Sequence, residues 1–378
     1  MAATAPETFD LADRDFVRQL VMAFDVPEKH VDETKYLPEI LQRILTPDEA
    51  RTIVRLGSKA YTLARAADRL GLNEAETKNR LKVLKQKGVL MSFPDLVAAD
   101  LKYKITSMLL LHDMTLLNTR DDPQRFGEDF LELWDNFYKE VMVATFARMS
   151  THAKENEDTI FRVIPVNEPV EVDHVSRVLP YETVAGIIEG AQQISLQPCV
   201  CRIRTHGKNC RHMVEDACMA FDMMAEQVVK KGHGRMVSKA EALEQLKKTT
   251  ADGLVHLSGN SSEGFVFICS CCECCCGVLY AVVNRGIKFM AMPSRYRAAV
   301  EAESCSGCGS CVDLCNFKAI AVGEDEVARI DGARCYGCGV CAYSCPEEAI
   351  RLNAVRSEDF IPQGNFLLKM MKGAANFR

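Results

Sequence analysis

No cysteine occurs in the first 198 residues of this 378-residue chain, and all 18 lie between Cys199 and Cys345. That step in composition is the strongest boundary in the sequence. Long apolar runs are missing too: no stretch approaches the ~20 residues that a membrane-spanning helix needs. The opening residues, MAATAPETFDLADRD, are acidic and contain no apolar run, so no secretory signal is expected. No GxGxxG or Walker-type loop is present, which argues against a nicotinamide, flavin or nucleotide site. Nor is there an excess of basic residues: 46 Lys and Arg face 52 Asp and Glu, for a formal charge of −6. A nucleic-acid surface along the whole chain is therefore not expected, although one local basic patch has room to exist.

What is present suits a folded protein of two or three domains, with 48% hydrophobic residues to fill their cores. A secreted chain would spend so many cysteines on disulfides. Without a signal the thiols are expected to stay reduced in the cytoplasm, where clustered thiols bind metal.

The fold class expected is a multidomain α+β arrangement. Residues 1–39 read as a helical lead-in. Within residues 40–100, Thr46-Pro47-Asp48-Glu49 is a capping box with proline at the first helical position. A second helix stops at Gly71. A third is capped by Asn73 and ended by Gly88, before a strand at Val89–Phe93. This line, AYTLARAADRLGLNEAETKNRLKVLKQKGVL, resembles the winged helix-turn-helix family. The resemblance implies a recognition helix at Glu74–Lys87 whose positive face carries Lys78, Lys82 and Lys85. Asn79 and Gln86 are its only amide side chains, so base reading looks thin and nucleic acid is the lesser expectation as a partner. Residues 101–195 read as mostly helical, with Phe130, Trp134, Phe137 and Tyr138 on a core-facing stripe. Residues 196–295 form a cysteine-rich α/β region, residues 296–355 a separate module, and residues 356–378 an apolar tail with basic flanks, expected to pack back on the protein.

The C-terminal module is an internal repeat. Cys305-x2-Cys308-x2-Cys311-x3-Cys315 aligns with Cys335-x2-Cys338-x2-Cys341-x3-Cys345-Pro346, sharing two glycines and a closing Ala-Ile. Three thiolates on one tight loop can hold three irons of a cubane, and the glycines let backbone N–H groups approach its sulfurs. Zinc sites prefer two separated CxxC pairs. The repeat resembles bacterial two-cluster [4Fe–4S] ferredoxins. The resemblance implies two clusters, one on Cys305, Cys308, Cys311 and Cys345, the other on Cys335, Cys338, Cys341 and Cys315. In that family proline usually follows the fourth cysteine, whereas here Asn316 follows Cys315. Between the runs, residues 319–322 and 327–330 read as a small hairpin.

Ten further cysteines fall into two groups. Cys199-Val200-Cys201-Arg202 precedes Cys210 and Cys218; the second group is Cys269-Ser270-Cys271-Cys272-Glu273-Cys274-Cys275-Cys276. Phe265–Ile268 reads as a buried strand. If it continued, Cys269, Cys271 and Cys275 would face one side and Cys272, Cys274 and Cys276 the other. Arg202, Arg204, Lys208, Arg211 and His212 stand close in sequence to offset charge. The CxCR and CxCCxCCC segments resemble the cysteine-rich region of poorly characterised ferredoxin-like proteins of anaerobic bacteria. That implies at least one further iron–sulfur cluster drawing on both groups, with zinc as the alternative. The functional expectation is an electron carrier between redox partners, in anaerobic metabolism. The alternatives are an iron–sulfur-sensing transcriptional regulator, which would use the winged helix as output, and an oxidoreductase with a catalytic cluster in the centre.

Overall fold

The computed structural model describes residues 8–94, 100–151, 158–166, 182–205, 210–262 and 265–361. Lys208 and most of the apolar tail lie outside the described residues. The protein is mixed α/β and divides into two compact units: Met1–Ala144 with Ile203–His206, and Thr145–Arg202 with Gly207–Arg378. No helix among the described residues is long and apolar enough to cross a membrane.

The first unit is mainly helical. Helix Pro47–Leu56 starts on its capping box: the Glu49 N–H donates to Thr46 Oγ at 3.3 Å, and the Thr46 N–H to Glu49 Oε at 2.7 Å. Helix Leu63–Leu70 ends at Gly71 in the left-handed region. Helix Glu74–Gln86 begins where Asn73 Oδ1 accepts from the Glu76 N–H at 2.9 Å. Gly88, at φ +75°, turns the chain beside Met114, where a Cβ would stand 2.3 Å from the carbonyl oxygen. Strands β1 (Tyr61–Thr62), β2 (Leu90–Pro94) and β3 (Leu101–Ile105) form an antiparallel sheet in the order β1-β3-β2. Helix Phe130–Asn136 runs on through a wider π-type turn, Phe137–Met142. Phe130, Trp134 and Phe137 are fully buried there, with their rings edge to face, so the aromatic stripe is core.

The second unit centres on a seven-stranded sheet. Its strands are β4 (Phe161–Ile164), β5 (Ile194–Gln197), β6 (Cys218–Phe221), β7 (Arg235–Val237), β8 (Val255–Gly259), β9 (Phe267–Cys271) and β10 (Ala291–Met292). They lie in the order β10-β4-β8-β9-β6-β5-β7, antiparallel except for β10 with β4. Residues 101–195, read as mostly helical, thus also supply β3, β4 and β5. Strand partners from distant sequence decide these short segments where local pattern is weak. Helices Val184–Gly190 and Lys239–Ala251 cover one face through Val184, Ile188, Ala242 and Leu246, which pack on Ile194, Leu196, Met219 and Ile268.

A second layer of short strands carries the C-terminal repeat. Strand β11 (Tyr296–Val300) pairs antiparallel with β14 (Ile350–Ala354). Strands β12 (Ile320–Val322) and β13 (Ala328–Ile330) pair as the hairpin expected between the two cysteine runs. The chain enters β11 beside a buried ion pair: the Arg295 guanidinium binds the Glu182 carboxylate, and the Tyr296 hydroxyl donates to Glu182 at 3.4 Å. Both charged side chains are about as inaccessible as core leucines, so each depends on the other for its solvation. Replacing Glu182 with alanine would deprive the buried guanidinium of its counter-charge, leaving the Arg356 carbonyl as one remaining acceptor. We expect Glu182→Ala to cost about 3–5 kcal/mol, measured as a fall in the anaerobic unfolding midpoint of the full chain.

Candidate metal centres

In the C-terminal repeat, Gly307, Gly309, Gly337 and Gly339 all have φ between +65° and +81°. At Gly307 and Gly337 neighbouring backbone also leaves no room for a side chain. A Cβ at Gly307 would lie 2.3 Å from the Glu326 carbonyl oxygen, and one at Gly337 would lie 2.1 Å from that of Tyr296. Each Cys-x-Gly-Cys-Gly turn opens a one-turn helix, Ser310–Asp313 or Val340–Tyr343, which holds the third cysteine of its run.

These turns bring distant cysteines together. Cys305, Cys308, Cys311 and Cys345 line one cavity open to solvent, so the last cysteine of the second run joins the first three of the first. Burial raises the Cys311 thiol, and the neighbouring Cys308, Cys305 and Cys345 raise it further. Cys341 is pushed well up by burial and then, in falling order, by Cys338, Cys335, Cys315 and Cys311, so Cys315 of the first run stands near it as well as its own run. Backbone N–H groups point at sulfur, from Ala319 to Cys315 at 3.3 Å and from Ala328 to Cys305 at 3.5 Å. Thiols around a common cavity, amide donors aimed at sulfur and glycine turns with no space for Cβ together fit an iron–sulfur cubane.

The two sets differ in surroundings. Cys308 is exposed and its thiol is lowered, chiefly by its contact with the Ser310 hydroxyl at 3.5 Å. The second set is wrapped by the rest of its unit. The Val166 N–H donates to the Cys338 carbonyl at 3.0 Å, the Ser294 hydroxyl donates to the Gly337 carbonyl at 2.7 Å, and loss of solvent pushes the Cys338 thiol up to about 12.

The ten central cysteines sort into two spatial sets that cut across their sequence groups. The sulfurs of Cys210, Cys272, Cys274 and Cys275 all lie within 4.8 Å of one another. The other six form a circuit of neighbouring thiols. Cys199 stands beside Cys201 and Cys218, Cys218 beside Cys269, Cys269 beside Cys271, Cys271 beside Cys276, and Cys276 beside Cys201. Strand register accounts for part of this circuit, since Cys218 on β6 faces Cys269 on β9. The two-sided alternation expected through Cys276 stops early. Strand β9 ends at Cys271, and the Cys276 N–H closes a turn on the Cys272 carbonyl at 3.0 Å. That turn sends Cys275 to one set and Cys276 to the other.

Of the expected cations that lie among the described residues, Arg202 is aimed at sulfur. Fully buried, it donates to the carbonyls of Met213 and Ser270, both at 2.9 Å, and to Cys272 Sγ at 3.6 Å. Arg204 belongs to the first unit, where it pairs with Asp135 at 3.1 Å and lies over the Tyr138 ring. Arg211 is exposed, and burial lowers the half-buried His212.

Asn316, the departure from the usual proline, has a structural reason that the sequence showed only as an irregularity. Its Nδ2 donates to the Gly253 carbonyl at 2.8 Å, and its Oδ1 accepts from the Glu273 N–H at 2.9 Å. Glu273 sits between Cys272 and Cys274. One side chain therefore joins the Cys315 turn to the turn of the four close sulfurs, and proline would supply neither bond.

Residues 298–352 match the family described as 4Fe-4S dicluster domain. No curated protein and no solved structure matches the chain. The match concerns the C-terminal module and supports iron–sulfur binding there. For Asn316→Ala we expect a loss of about 1–2 kcal/mol, the net worth of one partly buried and one exposed hydrogen bond. Thermal unfolding of the iron-loaded chain should show it, with the iron content per chain unchanged.

Proposed function

We propose that this protein is an electron carrier whose C-terminal module holds two [4Fe–4S] clusters. Cys305, Cys308, Cys311 and Cys345 are the ligands of one, and Cys335, Cys338, Cys341 and Cys315 those of the other. The observation that carries this reading is the cavity shared by Cys345 and the first cysteine run, because only exchanged fourth ligands bring those residues together. When bound, such clusters supply reversible one-electron transfer.

The residues around the two sites divide the work. Exposed Cys308 presents the first site to a redox partner, and short distance is what electron exchange with that partner requires. Val166 and Ser294 hold the second site's loop by its backbone and screen it from water. A reducing, cytoplasmic and anaerobic setting would suit 18 cysteines, many of them in direct contact, which oxygen would oxidise.

For the first unit we infer a winged helix used for docking. The strand order β1-β3-β2 behind three helices supports the fold. Lys78, Lys82 and Lys85 are exposed on helix Glu74–Gln86, while Arg80 and Lys87 are engaged by Asp48 and Glu49. Three exposed lysines, of which Lys85 also donates to the Ser92 hydroxyl at 2.6 Å, with two amides suit an acidic surface better than a base-reading interface.

The test is Cys308→Ser in the full chain, purified without oxygen. The variant should lose about four irons and deliver electrons more slowly to an external one-electron acceptor, while the cluster on Cys335, Cys338, Cys341 and Cys315 remains. Unchanged iron and unchanged kinetics would contradict the assignment.

A further inference from the structure

The spacing of four sulfurs limits what they can enclose. One metal ion bound tetrahedrally by thiolates at about 2.3 Å keeps those sulfurs about 3.8 Å apart. Thiolates that bind the corners of a four-iron cube stand farther apart, because the cube lies between them. Cys210 and Cys272 are 3.9 Å apart, and Cys274 and Cys275 are 3.8 Å apart. All four sulfurs fall within 4.8 Å of one another, and they are the only such group among the described residues. The eight cysteines of the C-terminal repeat, all described, do not draw together this closely. The same protein thus contains two kinds of thiol spacing, one wide and one close.

Charge and chain geometry agree with the close spacing. A divalent ion with four thiolates carries two excess negative charges, and buried Arg202 reaches Cys272 Sγ at 3.6 Å to offset part of them. The ligands come from two chain segments: the turn that follows β9 gives three, and Cys210 closes the set from the other side. Leu254 packs against Cys272 and Cys275, covering that side of the set, while Cys274 remains exposed.

We propose that Cys210, Cys272, Cys274 and Cys275 bind a single tetrahedral metal ion, Zn²⁺ or mononuclear Fe²⁺, with no inorganic sulfide. This centre draws on both sequence groups, as expected, but it is an ion rather than a cluster. Asn316 ties it to the turn of Cys315, so it also clamps the C-terminal module to the large sheet. The proposal stands apart from the electron-carrier reading and survives or fails without it.

The experiment counts metals and acid-labile sulfide in the full chain, purified without oxygen, for the wild type and for Cys274→Ser. Cubanes contribute iron and sulfide equally, so the wild type should show at least one metal ion more than its sulfides. Cys274→Ser should lose one metal equivalent and no sulfide. Zinc in the lost equivalent marks a structural clamp, and iron marks a further one-electron site. Equal metal and sulfide in the wild type, or a loss of iron and sulfide together in the variant, overturns the proposal. Should Cys274→Ser fail to fold, Cys210→Ser gives the same comparison from the other segment, and equal metal and sulfide in the wild type still overturns the proposal.

Discussion

Sulfur atoms brought within 4 Å of one another inside a protein need a reason to stay there. As thiols they are poor hydrogen-bonding partners, and as thiolates they repel one another. A cation resolves both problems, because it takes the lone pairs and cancels the charge. The second unit is organised around this constraint. Its sheet places Cys218 against Cys269, its turn at Cys272–Cys276 sends successive cysteines to different sets, and Arg202 is buried where negative charge gathers.

The same constraint explains how the C-terminal repeat is attached. A ferredoxin-like module alone would need only its hairpin and its β11–β14 pair. Here it is also held at both cysteine runs: Asn316 binds the Gly253 carbonyl and the Glu273 N–H beside the first, and Val166 and Ser294 donate to backbone carbonyls of the second. Phe317, beside Asn316, stacks on Tyr336 with ring centroids 4.4 Å apart, and so joins the two runs to each other. These contacts fix the metal-binding turns relative to the sheet. Cys308 alone of the eight is left exposed.

Much of this was legible in the sequence because the relevant information is local. Capping residues at Thr46 and Asn73, glycines at positive φ and the fixed spacing of the ferredoxin cysteines each act within a few residues. The partition of the ten central cysteines was not legible, since it depends on where β9 ends and on the pairing of β6 with β9. No local pattern states either. The role of Asn316 was hidden for a related reason. The missing proline marked the position as unusual, but Gly253 and Glu273, its partners, lie more than forty residues away.

The central claim is that the module binds two clusters close enough to act as one electron-transfer unit. Electron paramagnetic resonance of the full chain, reduced without oxygen, tests this most directly. The account predicts two reduced clusters per chain whose spins interact, giving a broadened composite signal. A chain that takes up no electrons, with zinc in place of iron at the C-terminal cysteines, would contradict it.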